Sequence, residues 1–262
     1  MEFDWAQDEL TRALKANSPD EVRACIQGNH VLDKLYNGLP LLSWAAQTNE
    51  RIILKLLIAE KAALETKGDD GRTALHCAAD ANKLRTVRAL LDAGAAADAK
   101  KSNGSCALLD SAAAGYDDIV KALIAKTSAD VKNDEEETPL MLAAKNGHGP
   151  TAQTLVDAGA QQDLRNKQGK SAFDLALAAG HVDVLRALKV SLEQADADGL
   201  TPLVKAVSTD DTVSAKVLIE AGASTEARDA LGNTALALAA LKGNGALLTQ
   251  LIAAKAAFNV KN

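Results

Sequence analysis

Gly71-Arg72-Thr73-Ala74-Leu75-His76-Cys77-Ala78-Ala79, followed by Val87-Arg88-Ala89-Leu90-Leu91-Asp92-Ala93-Gly94-Ala95, is the stretch that decides how this chain folds. The rest of the sequence copies it with variations. Aligning each copy on its opening turn places Gly38, Gly71, Gly104, Glu136, Gly169, Gly199 and Gly232 at intervals of 33, 33, 32, 33, 30 and 33 residues. A fixed period of this size marks a stacked array, because one such unit cannot bury its apolar face alone.

Two residues after the turn stand Thr73, Thr138, Thr201 and Thr234, with Pro40, Cys106 and Ser171 as variants. A Thr or Ser hydroxyl accepts from the free amides of a first helical turn, and Pro139 and Pro202 need no amide donor there. Small residues follow at Ala45-Ala46, Ala78-Ala79, Ala143-Ala144 and Ala239-Ala240, which lets the first helix approach its neighbours closely. A second helix carries the apolar pairs Leu56-Leu57, Leu90-Leu91, Leu123-Ile124, Leu155-Val156 and Leu218-Ile219. It stops at Gly94, Gly159 or Gly222, where a left-handed residue costs glycine least. Each unit therefore reads as turn, helix, turn, helix and extended link.

On Gly71, Thr73, Leu75, His76, Ala78-Ala79, Leu90-Leu91 and Gly94-Ala95 the sequence resembles the ankyrin repeat, from about Leu32 to Asn262. The resemblance implies an all-α ankyrin-repeat solenoid with β-turn links, about seven repeats behind an N-terminal capping helix pair. It also implies that His76 is the family's structural histidine. Residues 1–31 are expected to form the cap and 32–262 the repeats, all in one domain. Within the cap, Leu10, Ala13 and Leu14 have helical spacing, and Ser18-Pro19-Asp20-Glu21 opens a second helix running to about Gly28.

The chain is 47% hydrophobic but only 3% aromatic, so small aliphatic side chains must do the packing, as suits a repeat stack. A formal charge of −6 weighs against nucleic acid or an anionic membrane as the main partner, since both are bound largely through dense positive charge, though a local basic patch is compatible with it. Cys25, Cys77 and Cys106 lack ligand spacing and are expected as reduced thiols. No basic start with an apolar run opens the chain, and no stretch of about 18 apolar residues follows, which predicts a cytoplasmic protein. A mature exported chain without its signal would read the same.

Four irregularities stand out. Glu136 replaces a turn glycine, and because a left-handed non-glycine residue costs about 1 kcal/mol, a different turn is expected there. The Gly169 repeat is three residues short of the 33-residue period, so its second helix or exit must shorten. Asp110 and Lys205 occupy the first-helix position held elsewhere by Trp44, Cys77, Leu142, Leu175 and Leu238, where a charge must find a partner, reach water or serve a groove contact. The C-terminal run with Leu247, Leu251, Ile252 and Phe258 has little polar capping and is expected to expose apolar surface.

Catalytic chemistry is absent from the pattern. His148 and His181 hold equivalent positions in adjacent repeats with no third ligand, and Asp69-Asp70, Asp117-Asp118 and Asp210-Asp211 are turn carboxylates without a perturbing environment. No phosphate loop or nucleophile elbow occurs. The expected protein is non-enzymatic, with no catalytic residue, metal or cofactor.

The resemblance implies binding of a protein partner through the concave face of turn tips and first helices, as an adaptor or inhibitor. Toxin-neutralising and host-directed bacterial forms are not separated by it. The expected contact residues are Tyr36, Asn37, Leu39, Gln47, Thr48, Asp69, Asp70, Arg72, Asp80, Ser102, Asn103, Ser105, Asp134, Glu135, Glu137, Lys145 and Asn146. Trp44 and Tyr36 are candidate aromatic anchors, and the acidic turns point to a partner with a basic surface. The alternative is a scaffold that self-associates through the apolar C-terminal repeat, and a hydrolase or metal-binding protein is the remote one.

Overall fold

The computed structural model describes residues 12–14, 16, 18–29, 35–36, 39–48 and 51–259. Contacts divide the chain into two compact units, Met1–Ser111 with Tyr116–Asp134, and Ala112–Gly115 with Glu135–Asn262. Each is a stack of antiparallel helix pairs.

In the first unit, helix Pro19–Asn29 precedes a short antiparallel ladder in which Leu35 faces Pro40 and Tyr36 faces Leu39. Then come the pairs Leu41–Thr48 with Arg51–Ala59 and Ala74–Asp80 with Leu84–Asp92, then helix Ala107–Ala114 and helix Asp117–Ile124. Inner helices pack on inner helices, Leu41–Thr48 against Ala74–Asp80. Outer helices pack on outer ones, Leu84–Asp92 against both Arg51–Ala59 and Asp117–Ile124. The second unit repeats the scheme with Pro139–Lys145 and Gly149–Asp157, Ala172–Ala179 and Val182–Ala187, Pro202–Ser208 and Thr212–Ala221, and Ala235–Leu241 and Gly245–Asn259.

The alanine pairs do what their size predicts. Ala45, Ala46, Ala78, Ala79, Ala143, Ala144 and Ala239 are buried between inner helices, while Ala240 is exposed. Leu57, Leu90, Leu123, Leu155, Leu185 and Leu218 fill the space between inner and outer rows.

Helix starts follow the capping logic with local differences. The hydroxyls of Thr138 and Thr234 each accept a backbone N–H three residues on, at 3.3 Å. Ser171 and Asp174 cap each other reciprocally. At Thr73 the return bond comes from histidine, because His76 Nδ1 accepts the Thr73 N–H at 3.2 Å. Thr201 caps by backbone position alone.

Glu136 keeps the repeat's turn. The expected change of turn does not occur: Glu136 takes φ 58°, as Gly104 and Gly169 take 72° and 71° on either side. The chain thus accommodates a left-handed residue other than glycine at this turn. Replacing Glu136 by Gly should therefore stabilise the protein by about 1 kcal/mol, read as a rise of the thermal midpoint by about 2–4 °C. An unchanged or lower midpoint would show that Glu136 carries no strain.

From the pair Ala74–Asp80 and Leu84–Asp92 onward, a second left-handed position recurs between the two helices of each repeat, at Asn82, Gly115, Gly147, Gly180, Asp210 and Gly243. Its intervals, 33, 32, 33, 30 and 33, match those of the opening turns, so the 30-residue repeat loses its three residues after this point. The outer helix Val182–Ala187 has only six residues, the chain breaks direction at Leu188, and a short helix Lys189–Glu193 leads out.

The C-terminal expectation needs correction. Leu247 and Leu251 are buried, at 0% and 2% exposure, because the last helix turns them onto Thr212–Ala221 and its own repeat. Ile252 and Leu241 are exposed, and the side chain of Phe258 lies outside the described residues. Among the described residues no helix is long and apolar enough to cross a membrane.

Candidate protein-binding face

The turn tips are braced from within. In three repeats one side chain, three residues before the turn glycine, accepts two backbone N–H groups of its own hairpin. Asn166 Oδ1 takes those of Gln168 and Lys170 at 3.0 Å, Asp196 Oδ1 those of Asp198 and Leu200 at 3.0 Å, and Asp229 Oδ1 those of Leu231 and Asn233 at 2.9 and 2.8 Å. One residue earlier stands a cation in every described repeat but one: Lys67, Lys100, Lys132, Arg165 and Arg228, with Ala195 the exception. Lys67 donates to the Lys100 carbonyl at 2.7 Å and Lys100 to the Lys132 carbonyl at 2.9 Å, tying successive hairpins together. Arg165 and Arg228 instead donate to the carbonyls of their own turn glycines. Both rows were open to sequence reading as residues three and four before each opening turn.

Hairpins also abut directly. A Cβ on Gly71 would lie 3.0 Å from the backbone nitrogen of Ser102, and one on Gly104 would lie 2.9 Å from that of Asp134. In the second unit the Lys167 N–H donates to the Glu135 carbonyl at 3.1 Å. The acidic and basic turns thus meet through backbone. Side chains on these tips are presented from a frame fixed before any partner arrives.

Several expected contact residues come together. The Arg72 guanidinium bridges Asp70 at 2.5 Å and Asp80 at 3.2 Å. With Lys101, Ser102 and Asn103 these groups line a depression of about 420 Å³. Burial raises the Asp70 carboxyl, but the Arg72 backbone and guanidinium bonds outweigh it and hold it below the usual carboxylate range. Asn103 accepts the Ser105 N–H, and Ser105 itself is buried with its hydroxyl on Asp110 at 2.9 Å, which withdraws it from the surface. Asp69, Ser102, Asn103, Asp134 and Glu135 are exposed. In the second unit Lys145 pairs with Glu137 at 3.4 Å, and the Asn146 amide donates to the Ala113 carbonyl at 2.8 Å.

Leu39 and Trp44 are half-buried, whereas Gln47 and Thr48 are exposed, with the Thr48 hydroxyl turned back to the Trp44 carbonyl. Tyr36 is described in its backbone alone and Asn37 lies outside the described residues.

The two charged first-helix residues are resolved by their own turns. Lys101 pairs with Asp110 at 2.7 Å and Asp196 with Lys205 at 2.7 Å. In each case the opposite charge sits three residues before the turn glycine, where the hairpin returns beside the helix. Lys205 borders a cleft of about 490 Å³ between helices Ala172–Ala179 and Pro202–Ser208.

The three described histidines, His76, His148 and His181, are structural. His148 Nε2 lies 3.0 Å from the Ala113 carbonyl and His181 Nε2 lies 3.2 Å from that of Lys145, each ring filling the space over Gly115 or Gly147. These bonds satisfy carbonyls at the end of the preceding inner helix. Burial pushes the His76 imidazole down, against the pull of Asp110. Burial likewise pushes the Cys77 thiol up to about 11, so it stays protonated and unreactive. Among the described residues no three of His, Cys, Asp and Glu converge as a metal would need.

This frame of paired helices and stacked hairpins agrees with the comparison with known families. The family model described as ankyrin repeats (3 copies) matches residues 10–101, 108–193 and 187–262. The chain belongs to the ankyrin repeat family. Among curated proteins it is 32% identical over 121 residues to a Caenorhabditis elegans transient receptor potential cation channel subfamily A member 1 homolog, covering 46% of this chain and 10% of that protein. It is 29% identical over 136 residues to the mouse B-cell lymphoma 3 protein homolog, covering 49% and 30%. To mouse NF-kappa-B inhibitor delta it is 34% identical over 83 residues, covering 30% and 25%. The chain thus spans less than a third of the length of each of these relatives.

Proposed function

We propose that this protein is a non-enzymatic binding module that holds a partner protein against its turn tips and inner helices, and acts as an adaptor or inhibitor by occupying the partner's surface. The observation that carries the reading is the braced frame itself. Tips tied by Lys67 and Lys100 present Asp70, Arg72, Ser102 and Asn103, and ion pairs hold Asp80 to Arg72 and Lys145 to Glu137, with little conformational freedom left to lose on binding. One of the similar mouse proteins bears the name of an inhibitor, NF-kappa-B inhibitor delta, which is compatible with steric occupation as the mode of action. Acidic tips at Asp69, Asp134 and Glu135 favour a partner with a basic surface, reached faster at low salt. A cytoplasmic site of action fits this reading.

The test is co-purification from the native cell with the intact chain and with a variant carrying Arg72→Ala, Glu137→Ala and Lys145→Ala, the captured proteins being identified by mass spectrometry. A partner retained by the intact chain and depleted about tenfold or more from the variant is the expected result. Equal recovery by both would overturn the placement of the face.

A further inference from the structure

The shortened Gly169 repeat leaves an opening in the second unit. Helix Ala172–Ala179 packs closely on Pro139–Lys145 and reaches the outer helix Thr212–Ala221, but barely meets Pro202–Ser208, the next inner helix. Elsewhere in this unit consecutive inner helices pack directly, as Pro202–Ser208 does on Ala235–Leu241. The outer helix Val182–Ala187 and the break at Leu188 account for the difference. With its last turn displaced into Lys189–Glu193, the repeat does not bring the following inner helix alongside its own.

The resulting cleft has a volume of about 490 Å³. Phe173, Leu177, Pro202 and Ala206 give it an apolar lining, and Phe173 is only 8% exposed. Its charged groups are four carboxylates, Asp163, Asp174, Asp196 and Asp211, against two cations, Arg165 and Lys205. Both cations are already engaged, Arg165 with Asp174 at 3.1 Å and Lys205 with Asp196 at 2.7 Å, and both remain more than half exposed. Two carboxylates are left in excess around an apolar pocket, which suits a side chain with an apolar stem and a cationic head.

We infer that this cleft receives an arginine side chain presented by a loop of the partner protein, an inference that rests on the protein-binding reading above and gives it a place and a chemistry. Arginine fits better than lysine. Its planar guanidinium is less strongly hydrated, pairs with carboxylates through two parallel bonds, and packs flat on apolar walls such as Leu177 and Pro202. The guanidinium meets the two carboxylates in excess, Asp163 and Asp211, while Arg165 and Lys205 keep their pairs with Asp174 and Asp196.

The experiment is a titration of the ¹⁵N-labelled full chain with N-acetyl-arginine methylamide, and separately with the citrulline analogue, which has the same shape without the charge. Saturable amide shifts at Leu177, Ser191, Leu200 and Lys205 are expected with the arginine compound, with binding of the citrulline compound weaker by about tenfold. The double variant Asp196→Asn, Asp211→Asn removes two charges but keeps both turns. Asn166 already holds the same hairpin bonds one repeat earlier, and Asn caps a helix as well as Asp does. Its spectrum should show a folded chain whose affinity for the arginine compound is lower by about fivefold. Equal binding of the two compounds, shifts confined to other residues, or unchanged affinity in the double variant would each overturn the inference. A partner lost on changing Arg72, Glu137 and Lys145, together with a cleft untouched by the arginine compound, would remove the cleft proposal and leave the binding reading standing.

Discussion

Gly104→Ala is expected to lower the stability of the protein by about 3 kcal/mol, whereas Gly169→Ala at the equivalent turn should cost only about 1 kcal/mol. Both glycines have left-handed backbones, φ 72° and 71°, so both substitutions incur the same conformational penalty. They differ in what the new methyl group meets. At Gly104 it would lie 2.9 Å from the backbone nitrogen of Asp134 and closer still to the Asp134 side chain, so the next hairpin must move. At Gly169 nothing lies within 4 Å. Denaturant titration of the two variants separates the terms, and equal losses at the two sites would show that the Gly104 and Asp134 turns are not stacked as described.

Leu155→Ala should be nearly as damaging, at about 3 kcal/mol. Leu155 is fully buried in the outer helix Gly149–Asp157, which packs on Val182–Ala187 and on its own inner helix. Truncation removes transfer energy and leaves a cavity that rigidly stacked neighbours cannot close. Val213→Ala is the control, because Val213 is 77% exposed and its loss should stay within about 0.5 kcal/mol. A loss below about 1 kcal/mol at Leu155 would contradict its placement between the rows.

Most of the fold was legible from the period. The opening glycine, the hydroxyl cap, the paired alanines and the paired leucines each follow from one local rule, and their agreement over many copies fixes the helix pairs. Glu136 shows the limit of that reasoning. Its own preference argued for another turn, yet it takes the left-handed geometry that Gly104 and Gly169 take in their own copies, against about 1 kcal/mol of local strain.

The site was less legible, for a different reason. Arg72 with Asp70 and Asp80, and Glu137 with Lys145, pair across distances of two to eight residues that the repeat pattern places near each other. Ser105 looks like a surface residue in sequence but is buried, with its hydroxyl donating to Asp110 beside the Lys101 pair. Leu247 and Leu251 read as an exposed end because the sequence shows no capping, while helix rotation hides them. The cleft beside Lys205 follows from three missing residues, whose effect on helix spacing no propensity encodes.

The central claim is that partners are held by turn tips and inner helices rather than by the outer row. The most direct test places a photo-crosslinking amino acid at single positions in the native cell, at Asp80 and Lys145 on inner helices and at Arg88 and Gln153 on outer ones, all four exposed. Covalent capture of the same partner protein from Asp80 and Lys145, and none from Arg88 or Gln153, is the predicted result. Capture from Arg88 and Gln153 alone would contradict the account and assign binding to the outer helices.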